Sequence, residues 1–250
     1  MTRIVVFGDS LCFHGPERPE PLTHPGLFPN VLARAAGAEV DVVARLGWTA
    51  RDAWWALTKD PNVWGRLVPR ADAVVIAAGG MDQLPASVPT WLRECIPYIR
   101  PGTVRRRVRA AYHQAHPRLV RATGGRMRML PQRATDHYLT RVVRGLRYYR
   151  PGLPVAALTP APYGGPLYPC RRNHAPAVAA ARAWARREGV ALVELDPIVA
   201  PAQAAGTCNP DGLHWSWEVH RQVGDALAGA LDTVNEVSTE LGWPGPLRSR

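Results

Sequence analysis

Lysine is nearly missing from this chain of 250 residues: of its 31 basic side chains, only Lys59 is a lysine. The net charge of +11 is therefore an arginine charge, and the planar guanidinium favours flat, bidentate oxyanions such as carboxylates and phosphates. Nucleic acid, a phosphorylated cofactor and an acidic substrate all stay open on that ground. Cysteine is scarce as well. The four present, Cys12, Cys95, Cys170 and Cys208, include no CxxC pair, which argues against a thiolate zinc site or a dense disulfide framework and leaves reduced core thiols as the expectation. Cys12 stands near Ser10, but nothing beside it would favour a thiolate, so it is read as a packing group. No apolar run is long enough to cross a bilayer, and the most apolar stretch, Ala73 to Ala78, fits a buried strand. A secretory leader cleaved near the start would remove or strand the Gly8-Asp9-Ser10 segment, so cytoplasmic residence is expected. There is no phosphate-binding P-loop, no GxGxxG after a strand and no GxSxG elbow. Of the eight histidines only His113 and His116 have ligand-like spacing; they fall in a basic stretch where surface positions are expected, so no metal is expected.

Proline (25) and glycine (22) are plentiful and apolar residues make up 46%, which predicts a folded, turn-rich chain. Short apolar runs predict five strands, at Arg3 to Phe7, Glu39 to Val43, Ala73 to Ala77, Leu153 to Leu158 and Val190 to Leu195. Helical spacing lies between them, as in Phe28 to Ala36 before Gly37, and Ala177 to Arg187 with Asn173 upstream and Gly189 after. A last helix over Glu218 to Leu231 carries Val219, Val223, Ala226, Leu227 and Ala230 on one face, and Asn235 to Arg250 reads as a surface tail. The alternation implies an α/β fold, a parallel sheet covered on both faces in a single domain spanning 1–250.

The third and fourth strands are some 75 residues apart, more than one crossover helix needs. An insertion is therefore expected at 86–150. From Arg100 to Arg150 it holds 14 arginines against one acid, Asp136, a local formal charge of +13. Part of it is helical by spacing, with Leu139, Val142, Val143, Leu146 and Tyr149 on one stripe, Thr135 or Asp136 as cap, and Arg141, Arg144 and Arg147 flanking. Singly these arginines read as a solvated face. As a block they repel one another, which an anionic ligand would offset.

Ser10 follows the first strand directly, at the end where open parallel sheets bind ligands. Gly8 before it relieves crowding and leaves the Ser10 hydroxyl and N–H exposed. Alone, a Gly-Asp-Ser tripeptide is more often a turn. Asp211 and His214 follow the fifth strand, three residues apart, so one tight turn presents both. That suits a base and the carboxylate that fixes its tautomer, and a serine hydroxyl needs such a base to become a nucleophile. The loops Leu46-Gly47-Trp48-Thr49 and Gly79-Gly80-Met81-Asp82 sit at equivalent strand ends and offer N–H donors for a developing oxyanion.

Gly8-Asp9-Ser10, Gly47, Gly79 to Asp82 and Asp211 with His214, in this order, resemble the SGNH (GDSL-type) hydrolase superfamily over nearly the whole chain. The resemblance implies a flavodoxin-like three-layer α/β/α sandwich with a five-stranded parallel sheet. It implies a Ser10, His214, Asp211 triad, oxyanion donors at Ser10 and Gly47, and a substrate surface including Asp9, Gly79, Gly80, Met81 and Asp82. One departure stands out. The family's third block reads Gly-x-Asn-Asp, with an asparagine that donates to the oxyanion; here Met81 holds that place and cannot donate, and Gln83 lies two residues on.

The opening MTRIVVFGDSLCFHGPERPE, the Gly-Gly-Met-Asp block and the arginine-rich insertion resemble, more narrowly, the diglucosylglycerate octanoyltransferases of methylglucose lipopolysaccharide synthesis. That implies acyl-coenzyme A as co-substrate with no bound cofactor, and an anionic sugar acceptor held by arginines, with Arg141, Arg144 and Arg147 the candidates. A plain carboxylesterase or thioesterase is the alternative from the same chemistry. A nucleic-acid-binding protein on this scaffold would require the triad spacing to be accidental, and no basic motif interleaved with aromatics supports it.

Overall fold

A computed structural model describes residues 2–240. Its elements run β1 (Thr2–Gly8), α1 (Phe28–Ala35), β2 (Ala38–Ala44), α2 (Ala50–Lys59), α3 (Val68–Arg70), β3 (Ala73–Ile76), α4 (Thr90–Cys95), α5 (Gly102–Ala122), α6 (Gln132–Tyr149), β4 (Val155–Leu158), α7 (His174–Glu188), β5 (Ala191–Val193), α8 (Asp196–Ala204) and α9 (Trp217–Glu240). The five strands form one sheet in the order β2-β1-β3-β4-β5, every pairing parallel.

The unbroken apolar runs of β1 and β3 fit a sheet buried on both faces, because successive side chains point to opposite sides. Val5, Phe7, Val74, Ile76, Val155 and Ala157 enter one core with Leu57 of α2, Val142, Val143 and Leu146 of α6 and Trp184 of α7. Ile4, Val6, Ala73, Val75, Ala156 and Val193 enter the other with Phe28 and Leu32 of α1, Val199 of α8 and Val219, Val223 and Leu227 of α9. Three layers result, as the family resemblance implies.

The segment 86–150 divides at Pro131. Beyond it, α6 belongs to the sandwich itself as the crossover helix between β3 and β4. Its cap is Pro131, not Thr135 or Asp136, and Thr135 lies buried in its first turns, while Tyr149 is exposed. Before it, α4 and α5 stand outside the layers. Residues 127–130 then return antiparallel to 82–86, with Ala86 N donating to Met127 O at 2.8 Å and Met129 N to Leu84 O at 2.9 Å. A satellite cluster of Leu84, Ala86, Met129, Tyr163 and Tyr168 seats this return above the sheet.

Other expectations change in detail. Helix α9 runs to Glu240, so the first residues of the expected tail are helical, and 241–250 lie outside the described residues. Asn173 precedes α7 without capping it; its side chain donates to Gly125 O at 3.0 Å. His116 is buried and bonded to Ser87 Oγ at 2.8 Å rather than exposed, and Cys95 is exposed rather than packed.

Close approach of α1 and α9 rests on Gly224, where an added Cβ would meet Val31 Cβ at 2.6 Å and Phe28 O at 2.9 Å. Five residues further, on a different face of the helix, Gly229 has nothing within 4 Å of that position. Gly224→Ala should therefore lose about 1–3 kcal/mol by overpacking, while Gly229→Ala should gain about 0.5–1 kcal/mol from helix propensity. Urea titrations of the two variants check the opposite signs.

Candidate active site

The carboxyl end of β1 is crowded by design of sequence. A Cβ at Gly8 would lie 2.2 Å from Cys12 Sγ, so only glycine lets the chain turn tightly into the 3-10 turn Ser10–Cys12. Asp9 caps that turn, accepting from Leu11 N at 2.9 Å. Its carboxyl is buried, and burial raises it to about 6 against the pull of the Leu11 amide and of His214. Cys12 is buried behind it, and burial, then the Asp9 charge, push its thiol well above the ordinary value. A thiol so disposed is a packing group.

The partner loop arrives from the other end of the chain. Asp211 Oδ1 accepts from Leu213 N at 2.8 Å and His214 N at 3.0 Å, and its Oδ2 lies 2.6 Å from His214 Nδ1. His214 Nε2 is 2.9 Å from Ser10 Oγ. Burial pushes the Asp211 carboxyl up, but the His214 ring, the two amides and the His214 charge outweigh it and hold the group at about 2. An ionised Asp211 demands the proton on Nδ1, which leaves Nε2 as acceptor for the serine hydroxyl. Gly212 makes the turn possible: it sits at φ +74°, and a Cβ there would meet Gly164 O at 1.0 Å.

A second set of histidines surrounds this pair. The His14 ring stacks on His214 with centroids 3.6 Å apart, and its Nδ1 lies 2.7 Å from Gly15 O. His220 bridges His14 O at 3.1 Å and Phe28 N at 3.2 Å. Burial lowers both, His220 to about 4. No spacing rule in the sequence pointed to these rings.

Ser10 and His214 open on a cleft of about 350 Å³ lined also by Leu11, Gly80, Met81, Leu84, Tyr163 and Leu213. Gly80 and Met81 thus share the cleft with Ser10. Gln83 lines it too, but its Oε1 is 2.9 Å from His174 Nδ1 and its Nε2 donates to Ala161 O at 2.7 Å. Gly47, at φ +72°, does not line the cleft. The main-chain N–H groups of Ser10, Gly47 and Gly80 make no hydrogen bond among the described residues.

Two groups of expected substrate residues are placed elsewhere. Asp82 is fully buried behind the cleft, accepting from Thr135 Oγ1 at 2.8 Å and Ala50 N at 3.2 Å; it ties α2 and α6 to the loop after β3. Arg141, Arg144 and Arg147 are not among the residues lining the cleft. From Thr135, beside Asp82, α6 descends away from the cleft at about 1.5 Å per residue, which sets them roughly 9, 13 and 18 Å down the helix. Arg141 covers the Trp54 ring at 4.4 Å, Arg144 faces Glu188 at 3.8 Å, and Arg147 donates to Glu188 O and Gly189 O. The regular spacing that marked them also marks any exposed helix flank.

Among the described residues no three His, Cys, Asp or Glu side chains are grouped to hold a metal ion, and no helix is long and apolar enough to cross a membrane.

Burial raises Asp82 from 3.8 to about 7, against the Thr135 and Ala50 hydrogen bonds. A raised folded value means its contribution to stability is full below about 3.8 and is lost as pH climbs to about 7, with a ceiling near 4 kcal/mol. Asp82→Asn should flatten this part of the profile, so the stability gap between the two proteins should move in the variant's favour from pH 4 to pH 8. A gap independent of pH, read from denaturant midpoints, would show that Asp82 ionises at no cost.

Known proteins resemble this chain in sequence and in fold. The chain is 43% identical over 231 residues to the diglucosylglycerate octanoyltransferase of Mycolicibacterium hassiacum, spanning 91% of this chain and 94% of that one. It is 39% identical over 229 residues to that of Mycobacterium tuberculosis, spanning 91% of each. Among solved structures, the lipase/acylhydrolase of Enterococcus faecalis superposes with a TM-score of 0.58 at 18% identity, over 96% of this chain and 97% of that one. A psychrotrophic esterase from Pseudoalteromonas gives 0.57 at 13% identity, over 94% and 100%; both likenesses concern the fold. A profile of GDSL-like lipases and acylhydrolases matches residues 6–222. The chain belongs to the GDSL-like lipase/acylhydrolase family.

Proposed function

We propose that this enzyme is a serine-dependent acyltransferase that moves an octanoyl group from octanoyl-coenzyme A to a hydroxyl of diglucosylglycerate. The observation that carries the reading is the hydrogen-bonded series Ser10, His214, Asp211, with successive distances of 2.9 and 2.6 Å, in a chain so similar to enzymes named for that transfer.

In this mechanism Ser10 Oγ attacks the thioester carbonyl while its proton passes to His214 Nε2, and ionised Asp211 stabilises the imidazolium. The tetrahedral intermediate collapses, the thiolate leaves with the His214 proton, and octanoyl remains on Ser10. A sugar hydroxyl then attacks that ester, giving its proton to His214, and Ser10 is regenerated. The Ser10 and Gly80 amides, both at the cleft and without a partner among the described residues, suit the oxyanion. Leu11, Met81, Leu84, Tyr163 and Leu213 make an apolar wall for the acyl chain, each buried methylene being worth about 0.8 kcal/mol. The basic segment 86–126 suits the phosphates of the donor, and use of such a donor fits a cytoplasmic reaction.

Mass spectrometry after incubation with octanoyl-coenzyme A and diglucosylglycerate should find the octanoylated sugar in excess over free octanoate; free octanoate alone would mean a hydrolase. Ser10→Ala and His214→Ala should each lower transfer by about 10³ or more, and Asp211→Asn by less. Each needs a native circular dichroism spectrum, and full turnover by Ser10→Ala would overturn the mechanism. Met81→Asn, which adds a donor beside Ser10, should speed hydrolysis of a small activated ester.

A further inference from the structure

Three buried polar atoms with no partner among the described residues belong to side chains around one cavity: Arg128 Nε, Gln132 Oε1 and Trp184 Nε1. The cavity measures about 410 Å³ counting its open mouth, and lies between α6, α7 and the ends of β3 and β4. It adjoins the Ser10 cleft across two loops. Gly79 and Pro160 line the cavity, and their neighbours Gly80 and Ala161 line the cleft.

The chemistry of the three groups is specific. Arg128 is brought there by the antiparallel return opposite Pro85, and no carboxylate among the described residues lies within 4.0 Å of its guanidinium. Burial works against its charge, only partly offset by Asp82, Tyr163 and Asp136 at longer range. Trp184 is 2% exposed, and a buried indole N–H without an acceptor is costly. Gln132 donates its Nε2 to Asp136 Oδ1 at 2.7 Å, which fixes the amide and leaves Oε1 as an acceptor. Two N–H donors, one of them part of a guanidinium, and one acceptor on side chains that line the same cavity complement a carboxylate that carries a neighbouring hydroxyl.

We propose that this cavity binds the glycerate end of the acceptor, with Arg128 and Trp184 holding the carboxylate and Gln132 a hydroxyl. The proposal rests on the acceptor named above and adds where its charge is read. A phosphate of the donor is the other anion at hand, but coenzyme A carries its phosphates at the far end of the pantetheine arm from the thioester, whereas this cavity is separated from the Ser10 cleft only by the loops at Gly79-Gly80 and Pro160-Ala161.

The test compares diglucosylglycerate with diglucosylglycerol, in which a hydroxymethyl group replaces the carboxylate, using the full chain and octanoyl-coenzyme A. Arg128→Gln should raise KM for diglucosylglycerate about 10- to 100-fold, and Trp184→Phe, which keeps the ring bulk, about 3- to 10-fold. KM for diglucosylglycerol, KM for octanoyl-coenzyme A and hydrolysis of p-nitrophenyl octanoate should each stay within about twofold, since none uses the charge. An equal rise for both acceptors, a rise for the donor instead, or a parallel loss of ester hydrolysis would each overturn the proposal. Should the wild-type chain hydrolyse the ester yet octanoylate neither sugar, the functional reading falls, and calorimetric titration with glycerate decides the site: binding by wild type that Arg128→Gln abolishes supports it, and no difference between them refutes it.

Discussion

The 2.9 Å contact between Ser10 and His214 joins residues 204 positions apart, and most of the upper surface of the sheet is arranged around it. Such a contact is meaningful only if both backbones are held to a fraction of an ångström. On one side that precision comes from β1, buried on both faces and flanked by β2 and β3, with Gly8 allowing Cys12 to fold back against the strand end. On the other it comes from Asp211, which accepts two amides of its own turn before it reaches the imidazole, and from Gly212, which lets that turn press against Gly164. Neither glycine touches substrate in this scheme. Each removes a Cβ that would push the hydroxyl and the base apart.

Electrostatics around the pair follow the same division. Asp211, rich in donors, stays ionised; Asp9 and Asp82, with fewer donors for their burial, are raised toward neutrality. His14 and His220 are held toward their uncharged forms by burial, so the imidazoles packed around His214 add little positive charge to oppose the imidazolium that proton transfer would create.

Much of this was legible in the sequence because it depends on local rules. β-branched runs between turn residues mark strands buried on both faces, so the five strands fall within a residue or two of where their patterns put them. The triad candidates were legible because strand ends and a three-residue Asp-to-His spacing are themselves local. What could not be read is whatever depends on the direction of a helix in space. Arg141, Arg144 and Arg147 lie on the expected flank of α6, but nothing in their spacing says that α6 points downward from the cleft. Arg128 lies in an irregular segment with no periodicity to advertise it, and its placement comes from main-chain pairing with 82–86. The stack of His14 on His214 likewise arises from two loops meeting, which no single stretch encodes.

The extra chain before α6 enters and leaves the fold at one place, between the loop after β3 and Pro131, and is tied to the rest of the molecule by the short return over Leu84 and Ala86, by Glu94 on Arg51 of α2, by His116 against Tyr168 and by Gly125 on Asn173. Closing a longer loop at a fixed pair of ends costs only a logarithmic increment of entropy. Lengthening, shortening or exchanging the largely exposed residues 98–111, which make none of these contacts, is therefore a change the sheet barely registers, while the same exchange would redraw the electrostatic landscape above it. In a scaffold of this kind, substrate preference can drift over evolutionary time independently of the chemistry beneath it.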